Sequence, residues 1–236
     1  MMNYYTGMRE TQEFFTIMGG QVKMRQSSYN PTSDAVWLAA FVDGAPKTVL
    51  DVGTGTGAVA LCLLARMPNI TVTGIDISDE MLTVAKENFV LNNRVAEFIN
   101  TDVMHWRTCR TFDLVITNPP YFKGTPAHHN AHHNADLTMW VRKCVARTKP
   151  NGTFATIIPM SEMPRVMAEM AKHCGNFRIV PLFSNQNTAE RILISAKVGR
   201  APNATFYNGL SMNNSAVLRD GMSVSSVLNN LKSRCA

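Results

Sequence analysis

Between Thr48 and Val198, short apolar runs alternate with stretches whose apolar residues recur at helical spacing. TVLDVG (48–53), TVTGIDI (71–77), AEFINTD (96–102), FDLVITN (112–118) and GTFATIIP (152–159) each predict a strand. Between them, Ala58–Met67, Asp79–Leu91, Leu137–Thr148 and Met163–Cys174 predict helices. In the second of these, Met81, Leu82, Ala85 and Phe89 fall on one face. Strands alternating with helices predict an α/β fold, a doubly wound and mostly parallel sheet with helices on both faces. The last two runs, RIVPLF (178–183) and RILISAKV (191–198), have no helix between them, so the closing strand is expected to run antiparallel.

Residues 1–46 form a lead-in expected to pack on this core. GGQVKMRQ (19–26) predicts a short exposed strand, with Val22 and Met24 on one side and Lys23 and Arg25 on the other. NPTSDAVWLAAFV (30–42) opens with helix-cap chemistry around Ser33 and continues as an apolar helix to Val42. The 201–236 segment is rich in Ser and Asn; SVSSVLNNLKSRC (223–235) predicts a short helix in an otherwise partly disordered extension. No repeat or second core divides the chain. The lead-in, the core over 47–200 and the C-terminal extension therefore read as one domain.

Composition narrows the class. A chain of 236 residues buries roughly 70–75% of its unfolded surface and needs no staples. No apolar run approaches the ~20 residues of a membrane span, and MMNYYTGMRETQEFF is too polar for a secretory leader. Five cysteines (Cys62, Cys109, Cys144, Cys174 and Cys235) are odd in number, scattered and without a C-x-x-C pair. That argues against a disulfide framework or zinc ribbon and predicts a reducing cytoplasm. A net charge of +6 and a pI of about 9.2 suit an anionic partner such as RNA, DNA or a phosphorylated ligand.

The chemistry concentrates at strand ends. In DVGTGTGAVA (51–60), glycines between strand and helix permit a tight turn and bring backbone amides to a ligand at a helix N-terminus. Gly53-x-Gly55-x-x-Ala58 also satisfies the loose dinucleotide fingerprint. Asp51 separates the cofactor classes. A carboxylate immediately before the loop repels a pyrophosphate and attracts an ammonium and a sulfonium, the charges of S-adenosylmethionine; it can also hold loop amides. Asp76 ends the second strand, where a carboxylate accepts both hydroxyls of a ribose, and Asp102 ends the third, placed to accept from an adenine amino group. Their bland alternatives are a helix cap and a solvated loop residue.

The order Asp51-x-Gly53-x-Gly55-x-Gly57, Asp76, Asp102, Asn118-Pro119-Pro120-Tyr121 resembles that of the class I S-adenosylmethionine-dependent methyltransferases, with their Rossmann-like sheet. In that family the Asn-Pro-Pro-Tyr motif marks methylation of a nitrogen on a planar amide-like or aromatic system. The lead-in, with Gly19-Gly20, its basic strand, and Thr32-Ser33-Asp34 followed by Leu38, is similar to that of bacterial tRNA-valine (adenine nucleotide 37) N(6)-methyltransferases, as is AERILISAKVG (189–199). The resemblance implies an adenine methyltransferase acting on tRNA just 3′ of the anticodon. It places Asp34 and Asn118 on the cofactor side with Asp51, Gly53, Gly55, Gly57, Asp76 and Asp102. TPAHHNAHHNAD (125–136) departs from the more Arg-rich loop of those enzymes.

The exocyclic amine of adenine is a poor nucleophile because its lone pair is delocalised. Acceptors on its hydrogens, the Asn118 side-chain oxygen and the Pro119 carbonyl, favour a more pyramidal nitrogen. Asn118 and Pro119 each precede a proline and are therefore held extended. Tyr121 offers a flat face for the base, with Phe122 as a wall or as core packing. Of the basic residues Lys23, Arg25, Lys123, Arg142, Lys143, Arg147, Lys149, Arg191, Lys197 and Arg200, the first three are the best candidates for phosphate contacts. His128, His129, His132 and His133 have helical spacing but no carboxylate framework, so a substrate-side lid is expected rather than a metal site. Neither a membrane nor an obligate protein partner is expected. A protein glutamine N(5)-methyltransferase acting on release factors, or another rRNA or DNA base methyltransferase, uses the same motif geometry and remains the alternative. A nucleotide-binding oxidoreductase is disfavoured by Asp51 and by the prolines.

Overall fold

The computed structural model describes residues 14–27, 30–120, 137–185 and 187–233. A hairpin of β1 (Phe14–Ile17) and β2 (Val22–Arg25) leads to α1 (Ser33–Phe41). The core then runs β3 (Thr48–Val52), α2 (Ala58–Arg66), β4 (Thr71–Asp76), α3 (Asp79–Leu91), β5 (Glu97–Asn100), β6 (Phe112–Thr117), α4 (Leu137–Ala146), β7 (Thr148–Pro159), α5 (Met163–Met170), β8 (Cys174–Phe183) and β9 (Ala189–Val198). The chain continues through β10 (Ala204–Phe206), β11 (Leu210–Ser211), α6 (Ser215–Leu218) and α7 (Val224–Ser233).

The main sheet has the order β10-β8-β9-β7-β6-β3-β4-β5, with β11 also on β8. All of its pairings are parallel except those of β9, which runs antiparallel to both neighbours. The doubly wound sheet and its antiparallel closing strand are thus as the pattern predicts. Val49–Val52 of β3 and Leu114–Thr117 of β6 are buried on both faces, which is why these strands read as unbroken apolar runs.

Side chains fix the register between β3 and β6 at both ends. At the start, the Asp113 carboxylate accepts from the Lys47 amide (3.0 Å), the Thr48 amide (2.9 Å) and the Thr48 hydroxyl (3.0 Å). Its other oxygen accepts from Lys149 Nζ (2.9 Å). The Lys149 ammonium, followed by these donors, holds Asp113 far below the usual carboxylate range. At the far end, Thr117 Oγ1 donates to the Val52 carbonyl at 2.8 Å.

Several boundaries differ from expectation. The cap of α1 is Thr32 rather than Ser33, and it forms no side-chain cap bond. α4 ends at Ala146 and α5 at Met170, because β7 and β8 begin earlier, at Thr148 and Cys174, where pairing with β6 and β9 takes over the backbone groups. The largest difference is the C-terminal extension. Beyond the expected helix, which is α7, its described part through Ser233 holds two short strands and a second helix.

The reason lies in α1. Every residue from Asp34 to Phe41 is buried, so the helix has no solvent face and needs a cover on its outer side. Leu210, Val217, Val224, Val227 and Leu228 of the extension join its core, and Trp37 Nε1 donates to the Met212 carbonyl (3.1 Å). Arg178 completes the attachment, pairing with Asp43 (2.8 Å), donating to Ser225 Oγ (2.7 Å) and lying over the rings of Phe41 and Tyr207.

The hairpin docks on α3 through two asparagines one turn apart. Asn92 accepts from the Lys23 amide (2.9 Å) and donates to its carbonyl (2.7 Å). Asn88 accepts from the Arg25 amide (2.8 Å) and donates to the Thr56 carbonyl (2.9 Å). These side chains satisfy an edge that would otherwise need another strand.

Val217 is fully buried against α1. Val217→Asp places an unpaired charge there and is expected to lower the unfolding free energy by about 3 kcal/mol or more, read from urea denaturation. A loss below about 0.5 kcal/mol, ordinary for a surface site, would show that the extension does not cover α1.

Candidate active site

The strand register assembles the site. Asp51 pairs with Gly74 on β4 and with Ile116 on β6. One or two residues further on, all three strands end, bringing Gly53, Asp76 and Asn118 to one edge of the sheet. A cavity of about 970 Å³ opens there, lined by Gly53–Thr56, Asp76, Thr101–His105, Asn118–Pro120, Asp34, Met139, Trp140, Lys143 and Arg191 among others.

The loop glycines adopt backbone angles that other residues resist. Gly53 (φ +69°) and Gly57 (φ +80°) both lie in the left-handed region. Space is also short: a Cβ on Gly53 would come within 3.2 Å of Trp140, and one on Gly57 within 3.0 Å of Phe89. Gly55, between them, donates its amide to Asp76 Oδ2 at 2.8 Å. The Gly53 and Thr54 amides close on the Ile75 carbonyl (2.9 and 3.0 Å), which ties the loop to β4.

Four carboxylates stand around this edge in different settings. Asp51 is only 1% exposed and does not line the cavity. Its Oδ2 accepts from Thr54 Oγ1 (2.8 Å), and its Oδ1 is buried with no hydrogen-bond partner among the described residues. Burial pushes its carboxyl up from near 3.8 to about 7; the Thr54 hydroxyl opposes the rise and the neighbouring Asp76 charge adds to it. Asp76 lines the cavity with both oxygens held, Oδ2 by the Gly55 amide and Oδ1 by the Ser78 amide (2.9 Å). It is not the helix cap; Ser78 caps α3 by accepting from Met81. Asp102 also lines the cavity, its Oδ1 accepting from the Met104 amide (2.9 Å) and its Oδ2 paired with His105 Nδ1 (2.8 Å). Asp34, 3% exposed in the first turn of α1, accepts from Arg191 Nε at 3.0 Å.

Asn118 is half-buried at the cavity wall, with Pro119 buried and Pro120 exposed beside it. Tyr121, Phe122 and Lys123, expected to stack on and hold the substrate, lie outside the described residues, as do the four histidines of 128–133. Among the described residues no group of three or more His, Cys, Asp or Glu is placed to hold a metal ion, and no helix is long and apolar enough to cross a membrane. Lys23 and Arg25 do not line the cavity. Lys23 lies over the Phe14 ring (5.6 Å) and Arg25 pairs with Glu87 (3.3 Å). Several of the other basic residues have local partners: Arg142 with Glu169, Arg147 with the carbonyls of Trp106 and Thr108, and Lys149 with Asp113.

Some cavity residues escape sequence reasoning. Met139 and Trp140 read only as apolar positions of an amphipathic helix, and no local signal turns them toward the glycine loop. Arg191 as the partner of Asp34 is 157 positions away in sequence. Thr54, between two glycines, was open to notice: a hydroxyl three residues after a buried acid is placed to cap it.

An uncompensated carboxylate oxygen behind the loop fits a cofactor that carries positive charge. A cavity of about 970 Å³, near the upper end of the usual ~300–1,000 Å³ for small-molecule sites, has room for more than one ring system.

Comparison with known proteins agrees. The model of the family described as methyltransferase small domain matches residues 32–181. A curated relative from Glaesserella parasuis serovar 5, a tRNA1(Val) (adenine(37)-N6)-methyltransferase, is 28% identical over 137 residues, covering 54% of this chain and 58% of its own. A second with the same description, from Flavobacteriaceae bacterium strain 3519-10, is 28% identical over 185 residues, covering 73% of this chain and 78% of its own. Among solved structures, one described as a predicted O-methyltransferase from Agrobacterium tumefaciens superposes with a TM-score of 0.67 at 22% identity, covering 80% of this chain and 97% of its own.

The raised Asp51 carboxyl has a measurable consequence. An acid with a higher pKa folded than unfolded stabilises the fold most below its unfolded value, near 3.8, and loses that contribution as pH rises through about 7. Asp51→Asn lacks this dependence. Relative to the wild type, it should gain stability between about pH 4 and about pH 8, by at most about 4 kcal/mol. Urea unfolding of both proteins across that range measures it; parallel curves would mean that Asp51 is charged throughout.

Proposed function

The chain belongs to the methyltransferase small domain family, and from that premise we propose that it transfers a methyl group from S-adenosylmethionine to the exocyclic N(6) of an adenosine in tRNA, the one 3′ of the anticodon. The observation that carries the reading is the shared cavity: Asn118 and Pro119 line the same cavity as the glycine loop, Asp76 and Asp102. The descriptions of the two relatives support the choice of tRNA, and so does the net charge of +6. A tRNA substrate and the scattered, odd-numbered cysteines both suit work in the cytoplasm.

The chain's own residues divide the task. Asp76, fixed by the Gly55 and Ser78 amides, is oriented to accept from ribose hydroxyls. Asp102, fixed by Met104 and His105, accepts from the adenine amino group of the cofactor. Asp51 lies behind the loop, where its carboxylate favours a cationic head, and Asp34 closes the side toward α1. When bound, S-adenosylmethionine supplies a methyl carbon on a positively charged sulfur, open to in-line attack. Asn118 Oδ1 and the Pro119 carbonyl accept the two hydrogens of the target amine and turn its lone pair toward that carbon. Both residues are held extended by the proline that follows, so the acceptors do not have to reorganise during reaction. The amine becomes more acidic once methylated, and its proton leaves afterwards. Tyr121 supplies the face on which the flipped base stacks.

Incubating the protein with labelled S-adenosylmethionine and separate pools of tRNA, ribosomal RNA, DNA and release factor, then digesting the product, tests the reading. Label is expected in N(6)-methyladenosine from tRNA; label confined to protein glutamine would overturn it. Asn118→Ala should lower turnover by about 100-fold or more while cofactor affinity stays within about twofold. Near-normal turnover would remove Asn118 from the mechanism.

A further inference from the structure

Trp140 is the one tryptophan of the protein's three that lines the cavity. Trp37 is fully buried beneath the C-terminal extension, and Trp106 is half-buried under the Arg147 guanidinium. The Trp140 side chain makes two contacts that belong to different halves of the site. Its Nε1 donates to Thr117 Oγ1 at 3.0 Å, and that hydroxyl donates onward to the Val52 carbonyl at 2.8 Å. Its ring bears on Gly53, where a Cβ would lie 3.2 Å from Cζ2 and 3.4 Å from Cη2. Thr117 immediately precedes Asn118, and Val52 immediately precedes Gly53. One rigid indole therefore touches both the loop assigned to the cofactor and the strand end that presents the amine-binding platform.

α4 does not need this bond to stay in place. Val141, Cys144 and Val145 already bury its inner face. The donor at position 140 is instead directed at the junction where β3 and β6 end. Resting on the reading above, we infer that Trp140 is a positioning residue that fixes the separation between the transferable methyl and the target nitrogen. In-line transfer requires those atoms about 3–3.5 Å apart, and an error of about 1 Å is enough to cost ~100-fold in rate. An indole suits the role: it is flat, has two side-chain torsions, and carries one donor that cannot act as an acceptor.

Trp140→Phe keeps a ring against Gly53 and removes the donor. The expected result is a fall in kcat of about tenfold or more, with KM for S-adenosylmethionine and for tRNA within about twofold and the cooperative unfolding transition retained. Thr117→Val cuts the same link from the other end, so the double variant should be no slower than the slower single variant. A wild-type kcat in Trp140→Phe, or losses that multiply in the double variant, would overturn the inference. A second readout is independent of turnover. Adding S-adenosylmethionine should change the tryptophan emission of the wild type and leave that of Trp140→Phe unchanged; an equal response in both would show that Trp140 is not at the cofactor. A wild type that gives the emission change but methylates none of the four pools sinks the functional reading while upholding the place of Trp140.

Discussion

β3 and β6 are locked in register by more than their ladder. Asp113 draws four donors from Lys47, Thr48 and Lys149 to the starting edge, and the Thr117 hydroxyl clasps the Val52 carbonyl at the finishing edge. Because a strand's side chains alternate in direction, a slip of one residue between these strands would turn Asn118 away from the loop and Asp51 out of its burial. The strand spacing between the two halves of the site is therefore set by the sheet, and the Trp140 contacts to Thr117 and Gly53 are made on top of it. The glycine loop adds to this by hydrogen-bonding to the Ile75 carbonyl, so that β4 shares the same constraint.

Upon that frame the charges are distributed unevenly. Asp76 and Asp102 each have donors on both oxygens, and Asp34 has a guanidinium. Asp51 has the Thr54 hydroxyl and a weaker pull from the Ala60 amide, and burial, with the Asp76 charge adding to it, pushes it toward the neutral form. A pyrophosphate brought to this edge would meet the carboxylates of Asp76 and Asp102 on the cavity lining. A cationic head would instead relieve Asp51, whose Oδ1 is buried with no hydrogen-bond partner among the described residues. This is a stronger argument about cofactor class than the glycine pattern, which only describes how closely a backbone can approach.

The strand–helix alternation was legible because each buried strand and each amphipathic helix carries its own period. The strand-end acids and the Asn-Pro-Pro platform were legible because their order along the chain maps directly onto one sheet edge. Contacts between distant segments were not. Nothing near position 140 indicates that its ring meets Gly53, and nothing near Arg191 names Asp34 as its partner. The C-terminal extension was legible only in its 223–235 helix, since Ser and Asn dominate the segment while five spaced apolar residues, Leu210, Val217, Val224, Val227 and Leu228, do the packing. The signal lay elsewhere, in α1, whose lack of any polar stripe requires a cover on its outer side.

Each peripheral element also ends at the cavity. The hairpin reaches it through Asn88, which joins the Arg25 amide to the Thr56 carbonyl on the loop. The extension reaches it through α1, whose first turn carries Asp34 and, with it, Arg191. Local fraying of either would therefore be felt as a change in loop or wall position before any strand separated, because the attachments are made by side chains and the sheet is a continuous backbone ladder. The lead-in and the extension are thus joined through side chains to residues that line the cavity even where, as with Lys23 and Arg25, their own charges do not line it.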